Sequence, residues 1–260
     1  MLSVHTNYAS LVAQNSVNKN NSLLSTAMER LSTGMRINGA DDDAAGLQIA
    51  NRLNANVVGM STASRNISDG VSMLQTADGA LSELSSIANR MKELATQHAN
   101  GVNSADDKAA LKSEFDALTA EATRIKTNTE YAGEKLFTKL GTGVAMQIGA
   151  SKAETMTVTL GAQPDETALD IADLDTINTY INEIGTNRST LGANINRLGH
   201  TASNLANVTE NTKAAAGRIM DADFANESAA MTKNQLLVQA GTNVLSRANQ
   251  NTGLVMGLLG

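Results

Sequence analysis

Residues 67–94 read ISDGVSMLQTADGALSELSSIANRMKEL. Within this stretch Ile67, Val71, Leu74, Leu81, Leu84, Met91 and Leu94 recur at steps of three, four or seven, the spacing that lines one face of an α-helix. No proline interrupts the chain from Ala44 to about His98. At 1.5 Å per residue such a helix would be about 80 Å long. Gly59, Gly70 and Gly79 each weaken it by about 1 kcal/mol relative to alanine, so neighbouring helices must hold it.

Downstream, Asn100-Gly101-Val102-Asn103 ends this helix, and Ser104-Ala105-Asp106-Asp107 reads as a capping box with Asp in the usual Glu place. Leu111, Phe115, Leu118, Ala122 and Ile125 then alternate four- and three-residue steps, predicting a second helix that folds back as a helical hairpin. Between about Tyr131 and Leu160 the period falls to two. Met156, Val158 and Leu160 alternate with threonines, and the run Val144 to Ile148 precedes a turn candidate at Gly149-Ala150-Ser151-Lys152. This predicts a β-hairpin at about 138–160. The stretch Gly161-Ala162-Gln163-Pro164-Asp165-Glu166 holds the only proline and is the clearest turn and the best insertion point. From Asp173 to Gly217 the helical spacing returns in Ile184, Leu191, Ile195, Leu198, Ala202 and Leu205, a third long helix.

Upstream, Leu24, Met28, Leu31 and Met35 step by four, three and four, the narrow seam that one helix offers another. Asn15, Asn18, Asn20, Asn21, Ser22 and Ser25 surround it, so this arm wants a partner to be stable. The pattern breaks at Asn38-Gly39-Ala40-Asp41-Asp42-Asp43, where three carboxylates precede a new helix and suit its free amides and positive dipole end. A calcium loop would need spaced ligands and a distal Glu that are absent. The last arm, from about Arg218, repeats the seam in Leu237, Gly241, Val244 and Ala248 and ends in the apolar tail Leu254 to Gly260, an interaction surface if exposed. The expected fold is mainly α: a long antiparallel helical bundle or coiled coil with one small β-hairpin region, elongated rather than globular. Its terminal arms are 1–43 and 218–260, and its helical body is 44–217.

Composition agrees. Of 260 residues only one is proline and six are aromatic, with no cysteine and no tryptophan, whereas average usage would supply roughly 13 prolines. Scarce proline permits long helices, and scarce aromatics argue for a thin body. A formal charge of −6 makes nucleic acid a poor partner, and the lack of cysteine rules out disulfides and thiolate metal sites. The start lacks the basic and apolar regions of a secretory signal, and no apolar run approaches the length needed to span a bilayer. Membrane insertion is not expected.

Catalytic spacing is missing as well, so no enzyme, no cofactor and no metal site is expected. His5, His98 and His200 are far apart, Gly141-Thr142-Gly143 lacks the third glycine of a dinucleotide fingerprint, and no nucleophile elbow occurs. Lys19, Arg30, Arg36, Lys92, Arg197 and Lys213 are scattered among acids without aromatic interleaving. The sequons at Asn66 and Asn207 fall inside expected helices.

The motifs themselves are recognisable. Leu31-Ser32-Thr33-Gly34-Met35-Arg36-Ile37-Asn38 followed by Asp42-Asp43-Ala44-Ala45-Gly46-Leu47-Gln48-Ile49-Ala50-Asn51-Arg52 resembles the amino-terminal signature of bacterial flagellins. The runs Leu74 to Leu81 and Arg90 to Gln97 continue it, and Asp221 to Glu227 with Gln239 to Leu245 resembles the carboxyl-terminal signature. The resemblance covers roughly residues 1–137 and 173–260. It implies a structural subunit that polymerises into the flagellar filament and serves motility. The arms would pair as a coiled coil lining an inner tube, along Leu24, Met28, Leu31, Met35, Leu237, Gly241, Val244 and Ala248. The long helices would form the outer tube, along Ile67, Val71, Leu74, Leu111, Phe115, Leu118, Leu191, Ile195 and Leu198.

The resemblance also implies partners. They are other copies of the chain in a helical homopolymer, a flagellin export chaperone, the flagellar export apparatus through which the chain leaves unfolded, and the junction and cap proteins. The product would be extracellular. A host Toll-like receptor that reads such outer-tube helices would meet Arg90, Leu94 and Glu114. Only the short segment around Gly161 to Asp173 stands where many relatives insert variable outer domains, which implies a minimal subunit. The tail lacks the proline common near residues 249–253. The alternative reading is a hook–filament junction protein of the same class.

Overall fold

The computed structural model describes residues 6–259, with 251–259 described as helical backbone only. His5 and the side chains of the apolar tail at 254–260 lie outside the described residues. The helices are α1 (Tyr8–Thr33), α2 (Ala44–His98), α3 (Ala105–Asn128), α4 (Leu136–Thr142), α5 (Leu174–Met220) and α6 (Phe224–Leu259). Short antiparallel pairs join β1 (Glu130–Tyr131) to β2 (Glu134–Lys135) and β3 (Val144–Gln147) to β4 (Thr155–Val158). The fold is mainly α, as the periodicity predicts. It comprises two compact units, a terminal one within Met1–Asn54 and Thr212–Gly260 and a central one, Ala55–Asn211.

In the central unit α2 and α3 form the expected hairpin. Ser104 caps α3 in a complete capping box, its hydroxyl accepting from the Asp107 amide at 3.2 Å while the Asp107 carboxylate accepts from the Ser104 amide at 3.0 Å. The α5 helix runs back along α2. Arg188 Nε reaches Asp78 at 2.9 Å, and Thr209 lies 3.7 Å from the Met60 sulfur. Ile67, Leu74, Leu81, Leu84, Leu191 and Leu198 build one core with Phe137, Leu140, Met146 and Val158, and Val71 and Ile195 pack against it. Met91, Leu94, Phe115 and Ile177 build a second, flanked by Leu111 and Leu118.

The β region differs from the reading at 138–160. Residues 138–142 are helical, because Leu136, Phe137 and Leu140 bury one face of the short helix α4. The strands that follow pair Val144 with Val158 and Met146 with Met156. A second, two-residue ladder precedes α4. Its turn places Ala132 at φ 53 and Gly133 at φ 81, the paired left-handed residues of a tight hairpin turn.

The proline-bearing stretch is not a free turn. The Gly161 amide donates to Asn187 Oδ1 at 3.1 Å, and Asn187 Nδ2 donates to the Ala162 carbonyl at 2.9 Å. The Gln163 side-chain amide donates to the Phe137 carbonyl, and Lys126 donates to the Pro164 carbonyl. Lys126 also meets Glu166 at 2.8 Å, and the Tyr180 hydroxyl donates to the same carboxylate at 3.3 Å. Pro164 and Glu166 are both buried. Burial first, and the Glu166 charge second, push the Tyr180 phenol well above its ordinary value. These contacts strap the turn segment to α3, α4 and α5.

In the terminal unit Gly34, at φ +72, ends α1 in the left-handed conformation that glycine adopts without strain. The linker after α1 then pairs with the linker before α6. Arg36 N donates to the Met220 carbonyl at 2.6 Å, and Ala222 N to the Gly34 carbonyl at 3.0 Å. Arg30 bridges Glu227 at 3.2 Å and Asp42 at 3.4 Å. Asp42 accepts from the amides of Asn38 at 2.9 Å and Gly39 at 3.2 Å, while Asp43 caps α2 by accepting from Gly46 N at 2.9 Å. Of the three carboxylates expected to cap the helix, Asp43 does so, whereas Asp42 holds the preceding turn and Arg30. Ile37 is buried against Gly46, where an added Cβ would lie 2.8 Å from its terminal methyl. Ala50 and Ala216 are buried too, and the compact terminal unit takes in α2 as far as Asn54 and α5 from Thr212.

Replacing Glu166 by Ala leaves the Lys126 ammonium without its counter-charge and the Tyr180 hydroxyl without its acceptor, and should cost about 2–3 kcal/mol in urea denaturation. Exposed Asp165→Ala should cost far less. The amides of Asn38 and Gly39, and then Arg30, hold the Asp42 carboxyl below its ordinary 3.8. Its bonds therefore stabilise the folded chain fully above that value and are lost as pH falls through the lower folded-state value. The stability gap between the natural chain and Asp42→Asn should be full at neutral pH and close in strong acid.

Candidate functional site

Helices α1 and α6 pair antiparallel, as contacts at both ends require. Asn7 Nδ2 donates to the Ala248 carbonyl at 2.8 Å and Ser10 Oγ to Asn249 Oδ1 at 2.7 Å, while at the other end Arg30 meets Glu227. Between them Val17 faces Gly241. A Cβ on Gly241 would lie 2.6 Å from a Val17 methyl, so glycine there lets the two backbones come close.

The inward stripe of α1 runs Ala13, Val17, Asn20, Leu24, Ala27 and Leu31, alternating four- and three-residue steps along the helix, with Ala13 and Ala27 buried. On α6 it runs Glu227, Met231, Asn234, Val238, Gly241, Leu245 and Ala248, and Asn234 is buried. The stripe thus takes in Leu24, Leu31, Gly241 and Ala248 of the expected arm seam and leaves out the other four. Met28 is 47% exposed, Met35 43%, Leu237 40% and Val244 56%. The physical reason is size. A reading that weights large apolar residues selects Met28 over its neighbour Ala27, but two helix axes at close approach take the alanine and turn the methionine outward. The missed signal was the phase that joins Ala13 and Val17 to Leu24 and Leu31 without a break.

Pairing leaves large apolar side chains uncovered on both arms, spread around each helix outside the seam. On α1 they include Tyr8, Leu11, Val12, Leu23 and Met28, and on α6 Phe224, Leu236, Leu237 and Val244. Among the described residues of the central unit, only Val58, Val102 and Val208 are large apolar side chains exposed to a comparable degree. Exposed apolar surface collected on two paired helices is the signature of a surface that other molecules cover.

The central unit brings together the other expected residues. Ile67, Val71, Leu74, Leu191, Ile195 and Leu198 meet in one core, and Leu111, Phe115 and Leu118 in the other. Arg90 donates to Glu114 from Nε at 3.0 Å and from Nη2 at 2.7 Å, and from Nη1 to Glu93 at 2.9 Å. Those bonds, with Glu114 the stronger partner, raise the guanidinium pKa further. Leu94, the third residue of that expected set, is fully buried in the second core.

For chemistry the molecule shows other uses of its polar groups. Gly141-Thr142-Gly143 closes α4, with Gly143 at φ +92 leading into β3, and Asn66 within α2 donates to the Gln147 carbonyl. Among the described residues no three His, Cys, Asp or Glu side chains are placed to hold a metal ion, and no helix is long and apolar enough to cross a membrane.

The description "Bacterial flagellin N-terminal helical region" matches residues 4–142, and "Bacterial flagellin C-terminal helical region" matches 174–259. A flagellin of Halalkalibacterium halodurans is 43% identical over 246 residues, covering 90% of both chains. One of Listeria monocytogenes is 38% identical over 285 residues, covering 99% of both. Flagellin A of Vibrio anguillarum is 33% identical over an alignment of 376 residues that covers 99% of both, so it carries residues that this 260-residue chain lacks. The two signature-bearing ends, their order and these matched lengths agree: the chain belongs to the bacterial flagellin family.

Proposed function

We propose that the paired helices α1 and α6 are the assembly surface of a subunit that polymerises into the extracellular flagellar filament and serves motility. The carrying observation is the set of large apolar side chains that stay exposed on both arms after they pair, Tyr8, Leu11, Val12, Leu23 and Met28 on α1 and Phe224, Leu236, Leu237 and Val244 on α6. Further copies of the chain are its occupants. A surface repeated from copy to copy in a head-to-tail sense gives an open helical polymer rather than a closed ring. In this reading the terminal unit lines an inner tube, the central unit forms the outer tube, and the seam residues and the exposed apolar residues of each arm divide the labour. Leu24, Leu31, Gly241 and Ala248 hold α1 to α6, whereas Met28, Met35, Leu237 and Val244 face neighbouring subunits.

Flagellins are structural proteins, and we read the chain as a filament subunit rather than an enzyme. Its remaining partners follow from family membership: an export chaperone that shields the apolar arms, the export apparatus, and the junction and cap proteins at the two filament ends. A Toll-like receptor that reads the outer surface would engage the Arg90–Glu114 pair and not Leu94. A hook–filament junction role is the second reading, and no feature of the arms favours it. Electron microscopy of the purified chain separates the two, since only a filament subunit gives long tubes.

Two variants separate these roles. Gly241→Ala overpacks the seam by about 1–3 kcal/mol and should reduce both the pairing of α1 with α6 and the filament yield. Adding Val17→Ala should restore them, because the two changes act at one contact. Met28→Lys should leave the α1–α6 pair intact and stop elongation. It forfeits about 1 kcal/mol of remaining burial at each repeat and adds the cost of desolvating an ammonium. Normal filaments from Met28→Lys would overturn the proposed contact of Met28 with neighbouring subunits.

A further inference from the structure

The chain has two asparagine–glycine pairs, Asn38-Gly39 and Asn100-Gly101, in opposite settings. We propose that Asn100 is a site of spontaneous deamidation through a cyclic imide, and that Asp42 protects Asn38 from the same reaction.

The reaction needs the next residue's backbone nitrogen to reach the side-chain amide carbon, and glycine permits that approach because it has no Cβ. Asn100 and Gly101 lie in the exposed turn between α2 and α3. Among the described residues the Gly101 amide donates to no protein acceptor, so water and hydroxide reach its proton. The Val102 amide donates to Asn100 Oδ1 at 3.2 Å. That bond polarises the carbonyl under attack and meets the negative charge that develops on its oxygen, as a backbone donor does in an oxyanion hole.

Asn38 has the reverse arrangement. The Gly39 amide donates to the Asp42 carboxylate at 3.2 Å, and the Asn38 amide to the same oxygen at 2.9 Å. An N–H held by an anion loses its proton less readily, because the nitrogen anion would then face a like charge. The Asn38 side-chain nitrogen also donates to the Met35 carbonyl at 3.3 Å, which fixes the group that would have to leave.

The steps balance without an oxidant. Hydroxide removes the Gly101 amide proton, the nitrogen bonds to Asn100 Cγ, and the bond to Nδ2 breaks, releasing ammonia with a proton from water. Water then opens the ring at either carbonyl, giving aspartate or isoaspartate and one new negative charge in the turn.

The test is to hold the purified full-length chain at mildly alkaline pH and follow both peptides by mass spectrometry, with isoaspartyl methyltransferase labelling. Asn100 should convert several-fold faster than Asn38. Gly101→Ala should slow Asn100 several-fold without altering Asn38, and Asp42→Ala should accelerate Asn38 without altering Asn100. Equal rates at the two sites in the natural chain would overturn the proposal. So would an Asn38 rate unmoved by Asp42→Ala at a pH where circular dichroism shows that variant folded.

Discussion

The close approach of two helix backbones at Val17 and Gly241 governs the terminal half of this molecule. Close packing needs small residues, and small residues supply little buried area. Ala13 and Ala27 therefore hold α1 against α6 with modest hydrophobic gain, and the pair relies on geometry at its ends: the bonds of Asn7 and Ser10 at one, the Arg30 bridges and the paired linkers at the other. The large apolar residues that would have thickened a self-sufficient core are turned outward instead. In a polymerising subunit that division is economical, because the surface left uncovered by folding is the surface available for assembly.

The central unit solves the opposite problem. Its helices bury Leu74, Leu81, Leu84 and Leu191 completely within one chain and expose few large apolar groups. Glycines on α2 suit the same economy. At Gly70 an added Cβ would overlap the Met146 sulfur, so the strand pair packs directly on helix backbone. A chain with three phenylalanines and no tryptophan still fills two cores in this way, by close contact of aliphatic side chains.

What the sequence made legible was local. The ends of α2, the Ser104–Asp107 cap and the turn at 149–152 depend on residues near one another in the chain, and each can be read from spacing or composition. What it hid was relational. Whether Ala27 or Met28 faces α6 depends on how near the partner lies, and the phase through Ala13, Val17, Leu24 and Leu31 shows it only when small residues are counted as seam. The burial of Pro164 and Glu166 depends on Lys126, Tyr180 and Asn187, distant in sequence, so a stretch with every mark of an open turn is a strap. Helix α4 was hidden in a stretch read as alternating because it is only 7 residues long, below the length at which helical periodicity stands out.

The buried phenol of Tyr180 has an optical consequence. With no tryptophan and only three tyrosines, the near-ultraviolet signal of the chain belongs to very few groups, and one of them is sealed in the central core against Glu166. Folding opposes its ionisation, so above its ordinary 10.0 the neutral phenol is retained at a growing cost to stability. The appearance of its phenolate absorbance in alkali is therefore a readout of the central core coming apart.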